Sequence, residues 1–302
     1  MSKKLRSVKN VGEYKDTDYK LSDFNYNFPN ADSINRHGVD VGLYYLCAWL
    51  SNYAYFDVLP TTRLQEMGAK RYKLIKSDNY GTEALVVSDG IRCFTVFRGT
   101  KERIDIKTDA LFIKKGTKYG RTSIGPTRAL EDITQKLYDY YTAENLWELF
   151  HVSTGHSLGG GLANLFAPRF IDERKKHTNR ALPVPMVPVI APPRIGGLGF
   201  ARSFMNMGLF DKSGYVINNN DTVPRKPYKV TAIWHFIHPS RALLITSDKK
   251  IVFNPKRMIR IIDRIKGFIE DAGDGDFDLI ADHDMDQYII GLGENLHNLK
   301  KC

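Results

Sequence analysis

Hydrophobic and polar positions change rhythm several times along this chain, and each change predicts an element. Residues 1 to 36 are polar and rich in Asp, Asn and Lys, which reads as an N-terminal extension ahead of a single α/β domain from 37 to 302. From Val39 to Tyr55 (VDVGLYYLCAWLSNYAY) the chain turns apolar and aromatic without a polar stripe, the pattern of a helix buried on the main sheet. From Arg71 the runs shorten to strand length. A Tyr/Leu/Ile segment, TEALVVS, the turn Asp89-Gly90 and IRCFTVF predict an antiparallel start to a sheet.

The period then lengthens. Leu130, Ile133, Leu137 and Tyr141 are at helical spacing between Arg128 and Leu149, and the short run Leu149 to Thr154 that follows ends in glycine. Buried strands are expected again at VPMVPVI around Val187 and at GYVINN around Tyr215. Strands that alternate with helices in this way predict an α/β fold with a mostly parallel central sheet flanked by helices.

The candidate chemistry lies at Gly155-His156-Ser157-Leu158-Gly159-Gly160, a G-x-S-x-G pattern between an expected strand and an expected helix. A nucleophile on a sharp strand-to-helix turn needs small neighbours, and glycine two positions either side supplies them. A serine hydroxyl is a poor nucleophile at neutral pH, so it needs a histidine to take its proton and a carboxylate to orient that histidine. Asp221 follows the expected strand GYVINN, where the carboxyl edge of a sheet would present it. Three histidines follow: His235 and His238 in strand-like context, and His283 after a loop and ahead of a final helix. His283 is the expected partner, with His238 in reserve.

Several further motifs occur in order. GHSLGG with Thr154 before it, Val96-Phe97-Arg98-Gly99-Thr100, the segment Asp105 to Phe112, Pro193-Arg194-Ile195-Gly196 and Asp221-Thr222-Val223-Pro224 together resemble the class 3 lipase family. The resemblance implies an α/β-hydrolase fold, a Ser157–Asp221–His283 triad, and an oxyanion hole built from the backbone amides of Thr100 and Leu158. The Tyr five residues after His283 is similar to the family's C-terminal histidine segment. It also implies a lipid ester as substrate. Acyl transfer and thioester cleavage on the same fold, or a silent scaffold that binds an anionic membrane or a partner, are the competing readings.

Some segments depart from the family. Lys101 to Thr108 (KERIDIKT), at the lid position, is charged and lacks large apolar residues, which argues against activation at an oil surface. Pro168 inside the helix after the serine is expected to kink or shorten it. Residues Pro255 to Ile269 read as a basic amphipathic helix that docks on the protein's own core or, as the alternative, lies on an anionic membrane. The acidic loop Asp271 to Asp278 lacks the glycine placement of a calcium-binding EF-hand loop.

Composition changes this picture little. A net charge of +10 favours anionic partners such as a phospholipid surface, but the basic residues are scattered and no nucleic-acid module is present, so nucleic acid is not expected. Cys47, Cys93 and Cys302 have neither metal-ligand nor disulfide-framework spacing, and no cofactor or metal is expected. The basic start MSKKLRSVKNVGEY has no apolar run behind it, and no stretch approaches the length of a membrane span. The expectation is a cytoplasmic protein, or one released without a Sec signal.

Overall fold

A computed structural model describes residues 14–24, 39–99, 113–227, 236–256, 259 and 283–301. Its strands are β1 (Arg71–Lys76), β2 (Glu83–Ser88), β3 (Arg92–Phe97), β4 (Lys114–Thr117), β5 (Gly120–Ser123), β6 (Phe150–Gly155), β7 (Val187–Ile190), β8 (Ser213–Asn218), β9 (Arg241–Ile245) and β10 (Ile251–Phe253). Its helices are α1 (Val41–Tyr53), α2 (Thr61–Glu66), α3 (Ile124–Ala143), α4 (Leu158–His177), α5 (Leu198–Asn206) and α6 (Met285–Lys300).

Two ladders, β1-β2-β3-β6 and β7-β8-β9-β10, meet where β6 runs beside β7. Parallel bridges Val152↔Met186 and His156↔Ile190 join them, with Ser153 N–H donating to the Met186 carbonyl at 2.9 Å. The order across the layer is therefore β1-β2-β3-β6-β7-β8-β9-β10. β3, β6, β7, β8 and β9 are parallel, with antiparallel strands outside them. β4 and β5 form a separate hairpin.

Strand alternation sends successive side chains into two cores. Phe94, Val96, Val152, Val216, Leu243 and Ile245 face α1 and α6, while Cys93, Phe97, Tyr215, Ile217, Ala242 and Leu244 face α3, α4 and α5. Every residue of α1 is buried, as its stripe-free composition requires, and Asp40 caps it by accepting from Leu43 N–H at 3.0 Å. Residues 14–24 lie against α1 and α6: Tyr19, Leu21 and Phe24 are buried, and Asp18 contacts His297 at 3.0 Å.

The long helices depart from expectation in instructive ways. α3 starts at Ile124, four residues before the expected Arg128, because Pro126 falls in its first turn, where the missing N–H has no intrahelical acceptor. It ends near Asn145, which adopts φ +54°. Pro168 does not shorten α4, which continues for 20 residues around it. An interior proline costs about 3 kcal/mol. Burial of Leu162, Leu165, Phe166, Phe170 and Ile171 on the sheet offsets that cost.

Candidate active site

The turn from β6 into α4 places Ser157 in a conformation that ordinary residues avoid, φ +57° and ψ −130°. Such backbone strain costs on the order of 1–3 kcal/mol and persists only where neighbours over-determine it. Here they do. Ser157 N–H donates to the Ile190 carbonyl at 3.0 Å, and the Ser157 carbonyl accepts from Gly160 N–H at 3.0 Å and Gly161 N–H at 3.3 Å. The flanking glycines are steric necessities: a Cβ on Gly159 would lie 2.0 Å from the Phe97 carbonyl oxygen, and one on Gly155 2.5 Å from the same atom. β3 thus presses directly against the elbow, which brings Gly99, just past its end, close to Ser157.

Leu158, the expected oxyanion donor, is the first residue of α4, so its N–H belongs to the set that finds no acceptor within the helix. It sits at the positive end of the helix dipole, which favours developing negative charge. Thr100, the other expected donor, lies outside the described residues, as do Lys101 to Thr108, the segment Asp105 to Phe112 and the acidic loop Asp271 to Asp278. The expected basic helix Pro255 to Ile269 falls almost wholly outside them.

Asp221 follows β8 and is 1% exposed. Its Oδ1 accepts from Val223 N–H at 2.8 Å, an Asx turn ahead of Pro224. Its Oδ2 faces His283 Nδ1 at 2.8 Å and accepts from the Tyr288 hydroxyl at 2.5 Å. Tyr288 Oη in turn accepts from Asn218 N–H at 2.9 Å, so the hydroxyl that holds the carboxylate is itself fixed to the end of β8. Ionised Asp221 can only accept, so His283 carries its proton on Nδ1. The opposite nitrogen, His283 Nε2, is buried and has no hydrogen-bond partner among the described residues.

Of the histidines weighed as partner, the structure brings His283 to Asp221. His238 hydrogen-bonds the Pro224 carbonyl through Nε2 at 2.7 Å and stacks on Tyr215 at 3.9 Å, whereas the carboxylate of Asp221 meets His283. His235 lies outside the described residues. The Pro193–Gly196 turn is braced to the loop after Asp221: Arg194 Nη1 donates to the Arg225 carbonyl at 2.8 Å, and Arg225 Nη2 donates to the Asn219 carbonyl at 2.6 Å.

Two residues at this site escaped the sequence reading. His156, inside the elbow motif, meets Tyr55 through Nδ1 at 2.9 Å and the His283 carbonyl through Nε2 at 3.0 Å. Burial, aided by the neighbouring His283, pushes its pKa well below the usual imidazole range, so it is neutral. Burial likewise pushes the Tyr55 hydroxyl far above its ordinary value. A position beside the serine was the only signal available for His156; Tyr55, 101 positions away, had none.

Residues 94–231 match the model of the family described as lipase (class 3). That stretch of the chain is similar to the class 3 lipases. Lipase ZK262.3 of Caenorhabditis elegans is 29% identical to this chain over 148 residues, 47% of this chain and 40% of that protein. The match therefore spans well under half of the curated relative's length. Among solved structures, a Rhizomucor miehei lipase in complex with its propeptide superposes with TM-score 0.56 at 20% identity, covering 70% of this chain and 69% of that one. Lipase II of Rhizopus niveus gives 0.56 at 20% identity, covering 68% and 80%. A triacylglycerol lipase described as having a serine-protease triad at its catalytic centre gives 0.58 at 21%, covering 72% and 84%. At these identities the superpositions establish the α/β-hydrolase fold. Among the described residues no helix is long and apolar enough to cross a membrane, and no cluster of His, Cys, Asp and Glu could hold a metal ion.

Proposed function

We propose that this protein hydrolyses the carboxylic esters of lipids through an acyl-serine intermediate. The observation that carries the reading is His283: its Nδ1 is committed to buried Asp221 at 2.8 Å while Nε2 stays buried and unpartnered, as a general base requires. Ser157 Oγ attacks the ester carbonyl as its proton passes to His283 Nε2, and Asp221 stabilises the imidazolium that forms. The carbonyl oxygen, now negative, accepts hydrogen bonds from the amides of Leu158 and, by the family resemblance, Thr100. His283 then returns the proton to the leaving alcohol, and water repeats the cycle to release the acid.

The lipid character of the substrate rests on the family and on relatives named as lipases. The net charge of +10 adds a reason to include anionic phospholipids beside neutral glycerides. Labelling by a fluorophosphonate probe, and p-nitrophenol release from short and medium acyl esters, test the chemistry directly. Ser157→Ala should abolish the label, and Ser157→Ala or His283→Ala should each lower kcat by about 10⁴-fold or more. A wild-type protein that neither labels nor turns over, with detergent or with phospholipid vesicles present, sinks this reading in favour of a silent scaffold.

A further inference from the structure

Asp221, itself held by Tyr288, fixes the imidazole of His283 but not its main chain. The contact on the main chain comes from the elbow itself. His156 is covalently next to Ser157, and its Nε2 lies 3.0 Å from the backbone carbonyl oxygen of His283, with the two rings 4.6 Å apart. A carbonyl oxygen can only accept, so His156 carries its proton on Nε2. Nδ1 of the neutral ring is then an acceptor, and the Tyr55 hydroxyl 2.9 Å away must donate to it. The oxygen of Tyr55 also packs closely on Gly99, where a Cβ would fall 2.2 Å from it.

These contacts form one directed chain. Tyr55 Oη packs against Gly99, Tyr55 O–H points to His156 Nδ1, and His156 Nε2–H to the carbonyl of His283. It joins the loop before Thr100, the turn that carries Ser157 and the residue that would take the proton, three places far apart in sequence. We propose that His156 is a positioning residue that sets His283 against Ser157, with Tyr55 as its brace.

The inference rests on the ester-hydrolase reading and deepens it. Misplacing a reacting group by about 1 Å costs about a hundredfold in rate, so a bond that registers base to nucleophile acts on kcat and leaves substrate binding alone. Because the ring shares a chain segment with Ser157, movement of the elbow carries His283 with it.

The test uses the full chain and steady-state kinetics on p-nitrophenyl esters, with circular dichroism to confirm folding. His156→Ala should lower kcat about 30- to 100-fold with KM within about twofold of wild type. His156→Gln, whose amide N–H can still reach the His283 carbonyl, should restore kcat to within about fivefold of wild type, and Tyr55→Phe should lower it about three- to tenfold. If His156→Ala does not fold, the Gln and Phe variants carry the test. A wild-type kcat in His156→Ala or Tyr55→Phe, or a folded His156→Gln as slow as the alanine variant, overturns the positioning role and leaves the hydrolase reading intact. An inactive, unlabelled wild type overturns the hydrolase reading first, and the positioning role with it.

Histidine 15N NMR supplies a readout without turnover. Among the described residues, the titratable rings beside His156 are Tyr55, His283 and Tyr288, the last two bonded to Asp221. In that setting the chain of bonds demands a neutral Nε2–H tautomer between pH 6 and 8. An Nδ1–H tautomer overturns the assignment.

Discussion

The two ends of β6 each carry a buried, neutral histidine, and the pair separates packing from chemistry. His151, at the start of the strand, stacks on Phe170 at 3.8 Å within a cluster that includes Tyr141 and Phe166, and its Nδ1 has no hydrogen-bond partner among the described residues. Its Nε2 has a long contact of 3.3 Å with Thr95 Oγ1. His156, just past the other end, uses both ring nitrogens, one toward Tyr55 and one toward His283. Burial pushes both imidazoles well below their ordinary pKa, so neither burial nor charge state tells them apart. What differs is the use of directional bonds. One ring is an aromatic filler in the α3/α4 core, and the other is a link between loops.

If that contrast is right, changes at the two ends should register in different measurements. At the elbow end the largest effect is expected from Asp221→Asn. An amide can donate where His283 Nδ1–H needs an acceptor, which favours the wrong tautomer, and kcat should fall by about 10⁴. Esterase kinetics beside a melting curve check this: a variant within tenfold of wild type would show that the carboxylate does not orient His283. A smaller loss is expected from Tyr288→Phe, which removes one hydrogen bond to the buried carboxylate and leaves Asn218 N–H without its acceptor. Stability should drop by about 1.5–3 kcal/mol, since bonds to charged groups exceed neutral ones, and kcat by about tenfold through looser placement of Asp221. Urea titration and kinetics on one preparation separate the two parts.

The same contrast explains what the sequence could reveal. α1 was legible because nearly all of its positions are apolar or aromatic, and every one is buried. The Ser157 elbow was legible because close approach to Phe97 forces glycine at 155 and 159. His283 could be preferred over His238 because it opens a helix after a loop, and the contact with Asp221 shows why position mattered more than closeness in sequence. Tyr55 was invisible. Its role depends on a contact across 101 residues, and its own surroundings read only as the end of a buried helix. Pro168 does not shorten α4, because the burial that the helix gains on the sheet outweighs the local propensity against it.

A comparison of His151→Leu with His156→Gln sharpens the distinction furthest, because titration treats the two positions alike and catalysis should not. With an unfolded pKa of about 6.5 and a lower folded one, each histidine takes up a proton in the unfolded state that the native state refuses as pH drops below about 6.5. Native stability therefore declines on acidification, by up to about 1.4 kcal/mol per pH unit for each ring, until the folded pKa is reached. Either substitution removes one such proton, so both variants should show a flatter loss of stability between pH 6.5 and 5 than wild type in urea titrations. At pH 7.5 His151→Leu should keep kcat within about twofold of wild type, because it trades a ring with one nitrogen unpartnered among the described residues for an apolar side chain in an apolar core. A kcat loss in His151→Leu as large as that in His156→Ala would mean that the aromatic core beneath β6 tunes the elbow, and the division between its two ends would be wrong.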